Sequence, residues 1–384
     1  MSETVRLRLL RAAVSWRTAW WVVELTAPDG ATGLGESSDA GPGARRVWAE
    51  VDALLRDGVT VEQVLALLGG SGTVDDPPRA LARATVRGAL EQGLTDLRAR
   101  QQDRPLWQFL GAGSARPVHR YANINRALRT RTPDDFAQTA AAAEAAGYTA
   151  VKCAPFDGLP PEHRLREGLA RARAARRALR PSTALMVDAH LLLGVDEILA
   201  AAPELAALDL RWLEDAVALD DPEGLAAVHT AGIAPLAGGE FATDPDQVRA
   251  ALRSGHLAWL LPDVKHSGGF AAALRLADEA RRAGVRVSLH NPSGPVATAA
   301  GLHLAAACGP DTETEFAFGE AGWRGGSVTP PEPAHGAWMT PPQGAGLGIQ
   351  LSGDPNLGCD PDLGGDPHHH WQPHPLPHLN GATG

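Results

Sequence analysis

Hydrophobic and polar positions along the chain fall into two textures. In "WVVELTAPDGATGLGE" (21–36) two β-rich runs flank Asp29-Gly30, a pattern that predicts a hairpin. From Gly41 to Arg100 the period lengthens. In "ATVRGALEQGLTDLRAR" Val86, Leu90, Gly93 with Leu94, and Leu97 fall on one helical face. Residues 1–117 therefore read as a small α+β domain. From His119 the texture changes to short apolar runs, "HRYANI", "TAVKC", "ALMVD", "LRWLE", "APLAG", "AWLLPD", "RVSLH" and "TEFAFG", with helical stretches such as "EHRLREGLARARAARRALR" between most of them. Eight strand-plus-helix units over about 200 residues predict an α/β fold of the (β/α)8 type, a TIM barrel spanning 118–325. A doubly wound open sheet would need fewer strands and a glycine-rich first turn, and neither GxGxxG nor GxxxxGK[ST] follows an early strand. After a loop-rich stretch, "GAGLGIQL" (344–351) closes a segment, 326–351, expected to return to the first domain. Residues 352–384, with "DPHHHWQPHPLPHLNG", read as a disordered His/Pro/Gly-rich tail in which metal binding is the second reading.

Composition narrows the function classes. The 384 residues are 44% hydrophobic and 21% charged, enough for one large and one smaller domain. A formal net charge of −10 without a dense Lys/Arg block argues against nucleic acid or an anionic membrane surface as partner and favours a small molecule. Cys153, Cys308 and Cys359 are odd in number and lack metal-ligand spacing, so a reduced cytoplasmic location is expected, with the cysteines as packing residues. Charges interrupt the N-terminal stretch where a signal peptide needs apolar residues, and no 18-residue apolar run occurs.

Candidate chemistry lies at the strand ends, which converge on one mouth in a barrel. The third run ends in Asp188, the fourth in Glu214 and the fifth in Glu240, each 26 residues after the last. Three adjacent anions in a partly dry mouth repel one another and imply a bound divalent cation. An all-oxygen donor set points to Mg²⁺ or Mn²⁺ rather than Zn²⁺. Asp215, beside Glu214, is then free to face the barrel wall or the next loop. The sixth and seventh runs end in Asp263 and His290, and an Asp one strand away can orient the imidazole as a general base. Lys152 closes the second run, facing the metal across the barrel, and Glu315 lies on the eighth.

This arrangement resembles the enolase superfamily, and within it the mandelate racemase-like subgroup, over residues 1 to about 350. The resemblance implies that Asp188, Glu214 and Glu240 hold Mg²⁺, that His290 with Asp263 abstracts the proton α to a substrate carboxylate, that Glu315 hydrogen-bonds that carboxylate as an enediolate forms, and that the protein is a symmetric homo-oligomer. Enolase-type sites generally pair a Lys or His base with Mg²⁺. Two departures stand out. The Lys-x-Lys pair that supplies a second base in the family reads Lys152-Cys153-Ala154 here, and the usual Asn after the third-strand Asp is replaced in "VDAH" by His190.

With one clear base, expulsion of a β-hydroxyl is the most economical fate of the enediolate, which makes dehydration of a sugar acid or related hydroxy acid the expected reaction. The alternatives are an epimerase or cycloisomerase, needing a group such as Lys152 or Lys265 on the opposite face, and a non-catalytic carboxylate-binding descendant. His190 is read as a general acid or a substrate contact. Asn123, Asn125 and Arg126 in "YANINR" are read as contacts to substrate hydroxyls or a second carboxylate, or as a rim network. Lys265 and His266 are read as substrate contacts or surface. Trp16 and Arg17 in "VSWRTAWW" are candidate specificity residues of a lid, and Trp20 and Trp21 belong more readily to a core. Glu315 is preferred over Glu313 and Glu320 because the apolar "EFAFG" accompanies it.

Overall fold

The computed structural model describes residues 5–15, 18–70, 76–352 and 372–374. Trp16, Arg17, Cys359 and most of the expected tail lie outside them. The first domain opens with β1 (Arg6–Ala13), β2 (Ala19–Thr26) and β3 (Thr32–Glu36), an antiparallel meander in which Asp29 Oδ1 accepts from Ala31 N–H at the β2–β3 turn. Three helices follow, α1 (Ala44–Arg56), α2 (Val61–Gly69) and α3 (Pro77–Gln101). α3 starts where Asp76 accepts from Arg79 N–H and prolines occupy the first turn, where no N–H is needed. It buries Val86, Leu90, Leu94 and Leu97 against β2 and β3, the face read from the apolar period. Gly33 and Gly35 allow this: a Cβ on either would collide with the α3 backbone at Gly93 and Ala89.

After the short α4 (Leu106–Phe109), eight parallel strands run in order: β4 (Val118–Asn123), β5 (Ala150–Cys153), β6 (Ala184–Asp188), β7 (Leu210–Glu214), β8 (Leu236–Gly238), β9 (Leu257–Leu260), β10 (Arg286–Leu289) and β11 (Glu313–Ala317). Pairing of β11 with β4, Glu315 opposite Tyr121, closes the barrel. Its helices are α5 (Pro133–Ala145), α6 (Pro161–Ala178), α7 (Val195–Ala200), α8 (Ala202–Ala206), α9 (Pro222–Thr230), α10 (Pro245–Ser254), α11 (Phe270–Arg282) and α12 (Pro295–Cys308). Residues facing the helices form the main core. Inside, Tyr121, Met186, Trp212 and Trp259 fill the barrel, with Tyr121 edge-on to Trp212 at 5.4 Å and Trp212 5.0 Å from Trp259. The barrel is thus a packed layer with a chemical mouth above it.

The observed strands are shorter than the apolar runs at three places. Glu240, Asp263 and His290 follow the last residues of β8, β9 and β10 instead of ending them, so all three stand on the loops at the mouth. At Asp263 the reason is local, because Pro262 has no N–H to continue a ladder.

The return segment docks on α3: Asp96 Oδ1 accepts from Leu347 N–H at 2.6 Å and Arg100 donates to Ile349 O at 2.7 Å. It carries β12 (Val328–Thr329), paired with β14 (Gln350–Leu351), and β13 (Trp338–Met339), which pairs antiparallel with β4. Within the stretch expected to be a disordered tail, β15 (Gln372–His374) forms an antiparallel strand against β1, whose outer edge offers unpaired backbone groups. No helix among the described residues is long and apolar enough to cross a membrane.

Candidate active site

Asp188 ends β6 and Glu214 ends β7 in matched register, and Glu240 follows β8, so the three carboxylates come from consecutive strands. All three are buried, and so is Lys152 of β5. The Lys152 ammonium lies 2.6 Å from Glu214 Oε1, 3.2 Å from Glu315 Oε1, 3.5 Å from Asp188 Oδ2 and 4.0 Å from Glu240 Oε2. Burial alone would lower the lysine pKa, but Glu214 and Glu315 hold it well above its ordinary value. One cation does not neutralise the cluster. Burial and then Asp188 push Glu214 up to about 7 and Glu240 well above the usual carboxylate range.

The donor set fits a divalent cation. Asp188 Oδ2 and Glu240 Oε2 are buried without a well-directed hydrogen bond, and the four carboxylates around Lys152 outnumber that one ammonium. Among the described residues two sets of donors lie close enough to share an ion, Asp188 with His190 and Glu240, and Asp263 with His266 and His290. Glu214 stands outside both, with Oε1 on Lys152 and Oε2 accepting from Trp212 Nε1 at 2.9 Å. Asp215, the acid beside Glu214, packs over the next strand: its N–H bonds Ala237 O, and a Cβ on Gly238 would meet its Oδ1 at 2.9 Å.

His290 Nδ1 bonds Asp263 Oδ2 at 2.8 Å, which fixes the imidazole and aims Nε2 into the mouth, 3.1 Å from Glu240 Oε2. Burial acts to raise the Asp263 carboxyl, yet Lys265, His266 and His290 hold it well below the usual range. Lys265 and His266 are fully buried. Lys265 Nζ sits 2.6 Å from Asp263 Oδ2, so it supports the base and does not line the cavity. His266 Nδ1 meets Thr85 Oγ1 of α3 at 2.9 Å, and burial pushes its pKa down to about 3. The first domain holds this loop further through Glu91, which accepts from Phe270 N–H at 2.8 Å. Glu36, at the end of β3, accepts from Gly294 N–H and Ala297 N–H at 2.7 and 2.8 Å, capping α12 just beyond His290.

On the opposite side, His190 Nδ1 bonds Asp157 Oδ1 at 2.7 Å and Nε2 lies 2.9 Å from Asp188 Oδ2. Burial opposes its protonation, but Asp188 and Asp157 raise the imidazole to about 12. His190 follows the third barrel strand and His290 the seventh, so in an eight-stranded barrel the two face each other across the mouth, each with its own aspartate. Asp157 was not anticipated, although it is the lone acid in the short apolar "CAPFDG" loop five residues past Lys152. Ala154, where a second lysine would stand, packs its backbone against Asn125 Oδ1 and Arg131.

A cavity of about 360 Å³ opens above these groups, lined by Asn123, Asn125, Arg126, Asp157, His190, Phe241, His266 and His290 among others. Glu315 accepts from Asn123 Nδ2 and from Asn291 N–H at 3.1 Å. Of its competitors, Glu313 bonds His119 at the far end of β4, and Glu320 bonds Arg126 and Arg324. Trp20 is buried against Trp323, as a core residue.

Residues 7–111 match the family described as the mandelate racemase / muconate lactonizing enzyme N-terminal domain, and residues 135–355 match the enolase C-terminal domain-like family. The chain belongs to the enolase superfamily. Among enolase-superfamily relatives, the D-galactarolactone cycloisomerase of Agrobacterium fabrum is 28% identical, covering 88% of this chain and 90% of its own. The 3,6-anhydro-alpha-L-galactonate cycloisomerase of Streptomyces coelicolor is 31% identical over 66% of this chain and 70% of its own, and the D-gluconate dehydratase of Thermoproteus tenax 28% over 59% and 46%. The mandelate racemase/muconate lactonizing enzyme structure from Jannaschia sp. CCS1 superposes with a TM-score of 0.76 at 25% identity, covering 98% of this chain and all of the other. The protein is therefore an enzyme of a superfamily whose relatives here are sugar-acid dehydratases and cycloisomerases.

Proposed function

We propose that the enzyme is a Mg²⁺-dependent lyase that removes the proton α to the carboxylate of a sugar acid or related hydroxy acid and expels the β-hydroxyl as water. The observation that carries this reading is the pair of His–Asp couples facing each other across the acid cluster. Asp188, Glu214 and Glu240 would hold Mg²⁺, with Mn²⁺ a substitute, and the ion would supply electrophilic stabilisation of charge developing on the substrate carboxylate. Lys152, already ion-paired at the cluster, adds a fixed positive charge on the same side.

His290 Nε2 takes the α-proton, because Nδ1 is committed to Asp263. The electron pair left on the α-carbon forms the enediolate, then collapses to a double bond as the β-carbon–oxygen bond breaks. His190, held by Asp157, gives its proton to the leaving hydroxyl, so that water departs and the enol tautomerises to a 2-keto acid. Glu315 is held below its ordinary range, its burial outweighed by Lys152 and His290, so before substrate binds it only accepts hydrogen bonds. An arriving substrate carboxylate raises it by like-charge repulsion, so that it takes a proton from solvent as the substrate enters and then donates it in a hydrogen bond to the enediolate.

Incubation with Mg²⁺ and D-gluconate, D-galactonate or D-mannonate, the acids named for dehydratase relatives, tests the reading by 2-keto acid formation. Exchange of the α-proton without loss of water would instead favour a cycloisomerase or epimerase. That second reading is supported by the same two-sided arrangement of histidines and by the cycloisomerase relative that covers 88% of the chain.

A further inference from the structure

The outer wall of the cavity has a charge pattern that bears on the far end of the substrate. Apart from Lys152 at the acid cluster, two arginines line the cavity, and each is already engaged. Arg126 donates to Glu320 at 3.0 Å and to Asp39 at 2.9 Å. Arg131 donates to Ala154 O at 2.6 Å and lies 3.6 Å from Asp157. His190 is held at Nδ1 by Asp157, with Nε2 turned toward the acid cluster 2.9 Å from Asp188 Oδ2. Asp39 is further fixed by Ser293 Oγ at 2.8 Å; its burial is outweighed by Arg126, which keeps it anionic. Arg126 and Arg131 thus stand beside two lining acids, Asp39 and Asp157, and Arg126 also serves Glu320, a residue outside the lining that it shares with Arg324.

We infer that the enzyme selects a sugar acid with a single carboxylate and a hydroxyl at its far end, an aldonic acid, over the dicarboxylate of the same stereochemistry. The inference rests on the lyase reading only in taking the substrate to be a polyhydroxy acid. A hydroxyl suits this wall, since it donates to Asp39 or Asp157 and accepts from an arginine already held in place. A second carboxylate accepts only. Among the described lining residues it meets no cation that is not already engaged by an acid or a carbonyl, and it stands beside two carboxylates, an arrangement that rejects by repulsion.

The test is calorimetric binding to the Mg²⁺-loaded His290→Asn variant, which holds its ligand without consuming it. The probes are D-gluconate and D-galactonate against D-glucarate and galactarate. At least one monoacid should bind, at least about tenfold more tightly than its diacid. Asp39→Asn, which keeps the acceptor for Ser293, removes one carboxylate from the wall and leaves Arg126 with Glu320 alone, should narrow the ratio by strengthening the diacid. If that variant does not fold, the four-ligand comparison alone decides. A diacid bound as tightly as its monoacid overturns the inference, and so does failure of all four to bind. Monoacid preference without α-proton exchange by the wild-type enzyme would leave the inference standing and remove the lyase reading. Exchange on another carboxylic acid with none of the four bound would do the reverse.

Discussion

Lys152→Met removes the cation at the centre of the acid cluster while keeping most of its packing volume. In the metal-free protein Lys152 lies within 4.0 Å of four carboxylates, none of them exposed to water. Losing one partner of a buried ion pair typically costs about 3–5 kcal/mol. Protonation offers an independent check on that figure. Without the lysine, one more carboxyl must be neutral in the fold. Holding a glutamate of ordinary value 4.5 protonated at pH 8 costs ~1.4 kcal/mol per pH unit, close to 5 kcal/mol, and about 2 kcal/mol at pH 6. The sign is that of a raised acid: the folded state binds the extra proton, so the deficit grows as pH rises and shrinks as pH falls. Urea unfolding of EDTA-treated wild-type and variant protein at pH 6 and pH 8 measures both quantities. Saturating Mg²⁺ should reduce the deficit, because a divalent cation at the same carboxylates takes over their neutralisation. A metal-free variant within about 1 kcal/mol of wild type at both pH values would refute the electrostatic account of the cluster.

Three further outcomes are expected. Glu240→Gln should weaken Mg²⁺ binding by calorimetry while leaving the fold intact, and unchanged affinity would remove Glu240 from the ligand set. Glu36→Gln withdraws one of the two acceptors capping α12 and should cost about 1–3 kcal/mol in urea unfolding; a neutral result would show that the first domain does not brace the His290 loop. His303 is buried, accepting from Trp107 N–H and donating to Leu347 O, and burial lowers its pKa to about 4. A depressed histidine stabilises the fold above its unfolded value near 6.5 and loses that contribution as pH falls toward 4, about 3 kcal/mol in all. His303→Gln should flatten that part of the stability profile, and an unchanged acid slope would place the titration elsewhere.

Much of the site was legible because barrel topology turns linear spacing into proximity. Asp188 and Glu214 end β6 and β7 as the apolar runs indicate. Glu240, Asp263 and His290 slip onto loops because the strands stop early, without leaving the mouth. What the spacing did not reveal is side-chain commitment. Lys265 reads from the sequence as a substrate contact or a surface residue, yet it is buried on Asp263, a neighbour only two residues away whose orientation depends on the loop. The Asp157–His190 couple joins two loops, with His190 and Leu191 both at positive φ, a conformation that leucine rarely adopts and that the sequence does not signal. Asp39 and Thr85 reach the site from the first domain, 87 and 181 residues from their partners, where no local pattern points.

The most direct test of the central claim is proton NMR of the α-position in D₂O with Mg²⁺, comparing wild type with His290→Asn across sugar acids. The account predicts loss of the α-proton signal with formation of a 2-keto acid by wild type. It predicts neither in the variant, with Mg²⁺ affinity unchanged. Retained exchange by His290→Asn would contradict the assignment of His290 as the base and move proton abstraction to another group at the mouth.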